Sequence, residues 1–131
     1  MSTNSTPIPT VSHTIVRFII EGLGEADGEL AHFLSPRTIE ALNRKMPLEG
    51  RAALYKDQVY FETSVKAGSE KPKIKVEQGT IAYWPMSSAV CVFYGSTQPY
   101  GPVNILGKIT KNLDVFKVIK SGTKITLEKT S

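Results

Sequence analysis

The stretch TIAYWPMSSAVCVFYG (80–95) decides the fold class. Its first part, TIAYWP (80–85), is β-branched and aromatic and is stopped by Pro85. Its second part, SAVCVFYG (88–95), is a nearly continuous apolar run of strand length. Such a run, bounded by turn residues, predicts a strand in the interior of a sheet. Further strands flank this pair. STQPYGP (96–102), with two prolines and a glycine, reads as a loop, and VNILGKIT (103–110) and TKITLEK (123–129) follow as strands. On the other side, KPKIKVEQG (71–79) alternates lysine with apolar residues and predicts an exposed or edge strand. GRAALYKDQVYFETSV (50–65) reads as two short strands around a turn at Lys56-Asp57. HTIVRFII (13–20) and ELAHFL (29–34) predict a hairpin joined by the glycine-rich, acidic turn EGLGEADG (21–28).

Two helices complete the pattern. In SPRTIEALNRKM (35–46), Ser35 suits an N-cap and Pro36 the first helical position. Ile39, Leu42 and Met46 form one apolar stripe, and Pro47 stops the element. NLDVFKVIKSG (112–122) reads as a short helix with Asn112 at its start and Gly122 at its end. Roughly eight short strands with two short helices predict a mainly β fold, an antiparallel barrel or sandwich.

At 131 residues the chain is one domain in length, and 40% hydrophobic with 21% charged residues is an ordinary globular balance. MSTNSTPIPT predicts a flexible tail over 1–12, leaving 13–131 as a single domain. The tail lacks the basic and apolar regions of a signal peptide, and no apolar run is long enough for a membrane span. With one thiol, Cys91, the default compartment is the cytoplasm, and an internal disulfide or cysteine zinc cage is excluded. The net charge of +4 is uneven: four basic and six acidic side chains in 1–50, twelve and six in 51–131. The C-terminal surplus could attract nucleic acid. It is nearly all lysine without interleaved arginine and aromatics, and therefore reads as a solvated face.

Motifs that carry known chemistry are sparse. His13 and His32 have no carboxylate at metal-ligand spacing, so no metal is expected. Cys91 lies in an apolar run and reads as an inert buried thiol. No glycine-rich phosphate loop joins a strand to a helix, no GxSxG occurs, and no cofactor is expected. Asp27 with Glu29, or Glu25 with Glu29, read as solvated turn residues.

The unusual feature is aromatic clustering. Tyr60-Phe61, Tyr83-Trp84, Phe93-Tyr94 and Tyr100 hold seven of the eleven aromatic residues. Neighbours on a strand point to opposite faces, so one ring of each pair enters the core and the other leaves it. With Met86, Pro85, Pro99 and Pro102 nearby, the outward rings suit a concavity for an apolar or proline-containing ligand. The other possibility is that they pack under loops or at a dimer contact. A homodimer through an exposed KPKIKVE strand is conceivable.

The segments carrying these features resemble a known family. LSPRTIEALNRKMP (34–47) resembles the first helix of cyclophilins, with Pro36, Thr38 and Glu40 at similar spacing, and VNILGKITKNLDVFKVIKSG (103–122) resembles their C-terminal stretch. YFETSV (60–65), GTIAYWP (79–85), AVCVFYGSTQP (89–99) and PVNILGKI (102–109), in this order, resemble the small prokaryotic cyclophilin-like family, compact single-domain proteins of unassigned function. The resemblance spans residues 14–129 and implies a closed cyclophilin-like antiparallel β-barrel of about eight strands with two short helices.

It also implies a departure. Cyclophilins carry a Phe-His-Arg segment and a Gln-Gly-Gly-Asp segment after the first helix, and the arginine supports peptidyl-prolyl isomerisation. The matching stretch ALYKDQVYFETSV (53–65) has neither, and its nearest cation is Lys56. An apolar pocket lowers the rotation barrier of about 18–20 kcal/mol by desolvating the amide, but a donor for the twisted amide is also needed. The expected function is therefore binding of a small apolar or proline-containing ligand, a small molecule or a peptide. The alternative is a weak peptidyl-prolyl cis-trans isomerase. The candidate ligand-binding residues are Tyr60, Glu62, Tyr83, Trp84, Met86, Phe93, Tyr94 and Asn104. Of these, Trp84, Met86 and Phe93 would form an apolar floor, and Tyr94, Asn104 and Glu62 polar handles.

Overall fold

The computed structural model describes residues 12–130, so all of the expected N-terminal tail except Ser12 lies outside the described residues. Nine strands form one antiparallel sheet: β1 (His13–Ile20), β2 (Gly24–Ala31), β3 (Leu48–Arg51), β4 (Ala53–Tyr55), β5 (Gln58–Glu62), β6 (Thr80–Trp84), β7 (Ala89–Phe93), β8 (Asn104–Lys111) and β9 (Lys124–Lys129). One α-helix, α1 (Pro36–Lys45), joins β2 to β3, and a 3-10 helix covers Leu113–Val118. The sheet order is β3-β9-β1-β2-β8-β6-β7-β5-β4. Its two margins, β3 and β4, are consecutive in the chain and separated only by Ala52, so the sheet curls into a nearly closed barrel.

The seam is tight. Ala52 N–H donates to the Thr123 carbonyl and Gly122 N–H to the Ala52 carbonyl, both at 2.8 Å. On β3, a Cβ at Gly50 would stand 2.6 Å from the Glu62 carbonyl oxygen of β5, so only glycine lets the two strands approach this closely.

Alternation fills the interior. Val16, Phe18 and Ile20 of β1, Phe61 of β5, Ile81 and Tyr83 of β6, Val90 and Val92 of β7, Leu106 of β8, and Ile125 and Leu127 of β9 belong to one buried cluster, joined by Ile39 and Leu42 of α1. Burial of each large apolar side chain contributes about 1.5–3 kcal/mol. A second cluster occupies the outer face: Ala82, Trp84, Ala89, Cys91, Phe93 and Val103, with Tyr60, Val76 and Ile105 against it.

Several expected elements change. Residues 71–79 are not a strand; they form one isolated antiparallel bridge, Lys73 to Val103, and are tied at their end by Gly79, which donates to the Phe93 carbonyl and accepts the Ile109 N–H. Pro72 lacks a donor and Lys71 takes a positive φ of 48°, so a ladder cannot run through the segment. Val76 instead packs on the outer cluster. The sheet margins therefore fall on β3 and β4. The turn expected over 21–28 shrinks to Glu21–Leu23. Ala26, Gly28 and Leu30 are buried while Glu25, Asp27 and Glu29 alternate with them, so the acidic stretch is strand, paired with β1. His32–Leu34, expected as strand, is a 3-10 turn. Leu48–Arg51 is a separate strand paired with β9. The second helix is 3-10 and ends at Val118; it buries Val115 and Phe116, and Phe116 packs edge-on against Phe18 at 5.6 Å.

The first helix forms as expected, but its N-terminus is satisfied from a distance. Ser35 makes no side-chain cap; its hydroxyl donates to the Ile105 carbonyl at 2.7 Å. Glu70, 8% exposed, takes over: its carboxylate accepts the N–H groups of Arg37 (3.1 Å) and Thr38 (2.9 Å) and the Thr38 hydroxyl (2.8 Å). Asn104 completes the network, accepting the Glu70 N–H at 2.7 Å and donating to Thr38 Oγ1 and the Gly68 carbonyl. Burial pushes the Glu70 carboxyl up, but the donors of Thr38 and Arg37, with the Arg37 guanidinium, outweigh it and hold it below the ordinary range.

Two consequences are measurable. Gly50→Ala should destabilise the barrel by about 1–3 kcal/mol in urea unfolding, and unchanged stability would show that β3 and β5 have room to part. Glu70→Ala should cost roughly 1–3 kcal/mol near neutral pH. Because the folded carboxyl is lowered, its contribution is complete above the unfolded value of about 4.3 and is lost as pH falls through the folded one. The gap between wild type and variant should therefore close in acid; a gap that widens there would contradict the sign.

Candidate functional site

The outer face of the β4-β5-β7-β6 region is not bare. Segments 73–76 and 99–103 cover its middle, which explains why Cys91 and Phe93 are fully buried. Toward the seam this cover stops. A cavity of about 670 Å3 opens there, lined by Arg51, Ala52, Ala53, Tyr60, Glu62, Trp84, Ser87, Tyr100, Ser121 and Gly122. Its residues come from the crossing between β3 and β4, the outward positions of β5, the end of β6 and the turn before β9.

The walls are aromatic. Tyr60 meets Trp84 edge-on at 5.4 Å between ring centres, Trp84 lies 4.9 Å from Tyr100, and Tyr100 meets Tyr55 at 4.7 Å. Each such pair contributes about 0.5–1.5 kcal/mol beyond area burial, so this is a pre-organised row of rings. Trp84 is 9% exposed and Tyr100 59%, so the row runs from the interior to solvent. The chain passes close over the indole: a Cβ at Gly101 would lie 2.9 Å from Trp84 Nε1. That Nε1, and the buried Nε2 of Gln58, have no hydrogen-bond partner. Gln58 Oε1 accepts the Tyr100 N–H at 3.4 Å, a long bond that ties the ring-bearing loop to β5.

Two opposite charges face the same cavity. The Ser87 hydroxyl donates to Glu62 Oε2 at 3.2 Å, and Arg51 Nη1 reaches the Gly122 carbonyl at 3.4 Å. Arg51 is thus the cation of this cavity, while Lys56 sits over the Tyr55 ring, 5.5 Å from its centre. Among the described residues no group of three or more His, Cys, Asp or Glu side chains could hold a metal ion. His13 pairs with Glu29 at 3.3 Å, and His32 Nε2 with the Thr14 hydroxyl at 2.7 Å.

Of the eight candidate residues, Tyr60, Glu62 and Trp84 come together in this cavity. Phe93 shares their face but is buried beneath the loops. Tyr83 lies in the inner cluster, where its hydroxyl donates to the Val65 carbonyl and accepts the Ala67 N–H. Asn104 is fully buried in the Glu70 network. Tyr94 packs against the inner cluster and donates its hydroxyl to the Lys56 carbonyl. Met86, in the 3-10 turn Pro85–Ser87, is 86% exposed and outside the cavity lining. The cavity adds Tyr100 and Arg51, which the candidate set did not contain. Tyr100 already stood out in the aromatic clustering; nothing local marked Arg51, which is brought in by barrel closure.

The nearly closed antiparallel barrel with its α-helix is a cyclophilin-like fold. The family model described as Cyclophilin-like matches residues 14–128, and the chain belongs to that family. The solution structure of the hypothetical protein AF2241 from Archaeoglobus fulgidus is similar to this chain with a TM-score of 0.78 at 27% identity, over 93% of this chain and 98% of that one. McbB, solved in complex with tryptophan, is similar in fold with a TM-score of 0.74 at 14% identity; the match covers 88% of this chain and 45% of McbB, less than half its length. No curated protein sequence matches. Among the described residues no helix is long and apolar enough to cross a membrane.

Cys91 takes no part in the cavity. Burial pushes its thiol up to about 12, against a smaller opposing effect of Gln58. The folded protein should therefore resist a thiol-reactive disulfide reagent at pH 8, while the unfolded protein labels at once. Rapid labelling of the folded form would show that the outer loops open readily.

Proposed function

We propose that the seam cavity binds a small ligand with an apolar, ring-compatible body, or a proline-containing peptide. The observation that carries this is the row Tyr60–Trp84–Tyr100 along a cavity of about 670 Å3. That volume lies within the range of roughly 300–1,000 Å3 found for ligand pockets, and apolar walls with a few placed polar groups are their usual lining. Tyr60, Glu62 and Trp84 carry the contact, with Tyr100 and Arg51 beside them. Phe93 packs with Trp84 in the outer cluster, whereas Tyr83, Tyr94 and Asn104 lie away from the cavity. McbB, a distant neighbour of the same fold, holds tryptophan, which is compatible with an aromatic ligand here.

A second reading is weak peptidyl-prolyl isomerisation, favoured by one specific observation. Arg51 lines the aromatic cavity, so a guanidinium stands where a prolyl ring could dock. Its five fixed donors suit a twisted amide better than the Lys56 ammonium would.

Trp84 is the single tryptophan, so its emission reports on the cavity directly. Titration with proline-containing peptides and a panel of small metabolites at millimolar concentration should shift its emission and raise the melting temperature. A ligand at a hundred times its Kd adds about 2.7 kcal/mol of stability. No change in either signal with any ligand would rule the binding function out. A protease-coupled prolyl peptide assay decides the second reading: acceleration lost in Arg51→Ala supports it, and none at micromolar protein removes it.

A further inference from the structure

We infer that the ligand of the seam cavity is a small zwitterion of the amino-acid type, its ammonium toward Glu62, its carboxylate toward Arg51 and its apolar side chain against Tyr60, Trp84 and Tyr100. This rests on the cavity being a binding site and goes further by naming the charge pattern of what binds. Arg51 and Glu62 come from strands whose backbones nearly touch at Gly50, and both line the one cavity. They are nevertheless not paired with each other, and neither belongs to any of the ion pairs among the described residues. Each holds a neutral partner at 3.2–3.4 Å, the Ser87 hydroxyl and the Gly122 carbonyl.

Two opposite charges so placed, with an aromatic wall between solvent and core, select by sign. A bare cation meets the aromatic rings and Glu62 favourably but Arg51 unfavourably. A bare anion suits Arg51 and is opposed by Glu62. A molecule that carries both charged groups on one carbon satisfies each side and leaves that carbon's third substituent for the rings. Arg51 can take a carboxylate through two parallel N–H donors, which fixes orientation as well as charge.

The test compares L-phenylalanine with 3-phenylpropionate, which lacks the amine, and phenethylamine, which lacks the carboxylate. Trp84 emission, excited where phenyl rings do not absorb, is the readout. Wild type should bind phenylalanine about tenfold or more tightly than either analogue, as expected for loss of one charged hydrogen bond. In Glu62→Gln, phenylalanine and 3-phenylpropionate should bind alike. In Arg51→Gln, phenylalanine and phenethylamine should bind alike. Both residues are exposed charges, so both variants should keep the wild-type melting temperature without ligand. Equal binding of all three ligands by wild type overturns the zwitterion and leaves the aromatic cavity as a binding site. So does binding of proline-containing peptides without phenylalanine. No binding of any of them overturns both.

Discussion

Between β3 and β4 the chain has one residue, Ala52, in which to pass from one margin of the sheet to the other. Everything at the seam follows from that economy. Both backbone groups of Ala52 are tied to the turn at Gly122 and Thr123, and Gly50 beside it lets β3 lie against β5 with no side chain between. A bulkier residue at position 50 would push β3 off the Glu62 backbone. The cavity exists because closure brings Arg51, Glu62 and the 121–122 turn to one rim while the loops over β6 and β7 stop short of it.

Two apolar layers share one sheet. Inside, alternation along β1, β6, β7, β8 and β9 builds the barrel core; outside, Trp84, Cys91 and Phe93 form a second cluster under the 73–76 and 99–103 segments. The outer cluster turns a surface that would otherwise be wet into a floor. Its edge, where Trp84 is still buried but Tyr100 is not, is where the row of rings meets solvent. The same arrangement keeps the one thiol away from solvent and from chemistry.

The β-branched and apolar runs of β1, β6, β7 and β9, and the span of α1 between Pro36 and Pro47, were legible because each signal is contained within its own segment. Gly24–Gly28 was not, since glycine and acidic residues read as turn and only the partner strand reveals that Ala26, Gly28 and Leu30 face inward. Lys71–Gly79 misled in the opposite direction: its alternation is strand-like, but Pro72 and the left-handed Lys71 deny it a ladder. At the site, Tyr60, Glu62 and Trp84 follow from the rule that strand neighbours face opposite ways. The rule could not tell that Phe93 is roofed over, or that Tyr83 and Tyr94 are on the inner side. Arg51 was invisible because its place depends on closure between segments far apart in the fold.

The helix end capped by Glu70 has a bearing on how the molecule assembles. An isolated ten-residue helix is marginal in water, and this one obtains its missing acceptor 32 residues downstream. Glu70 is itself fixed by Asn104, a further 34 residues along. This helix does not have its full native stability ahead of the sheet, because its terminal donors meet their acceptor only when two long excursions of the chain return. The order of events is thereby biased toward one concerted step, in which helix, connecting strap and the eighth strand acquire their final form together.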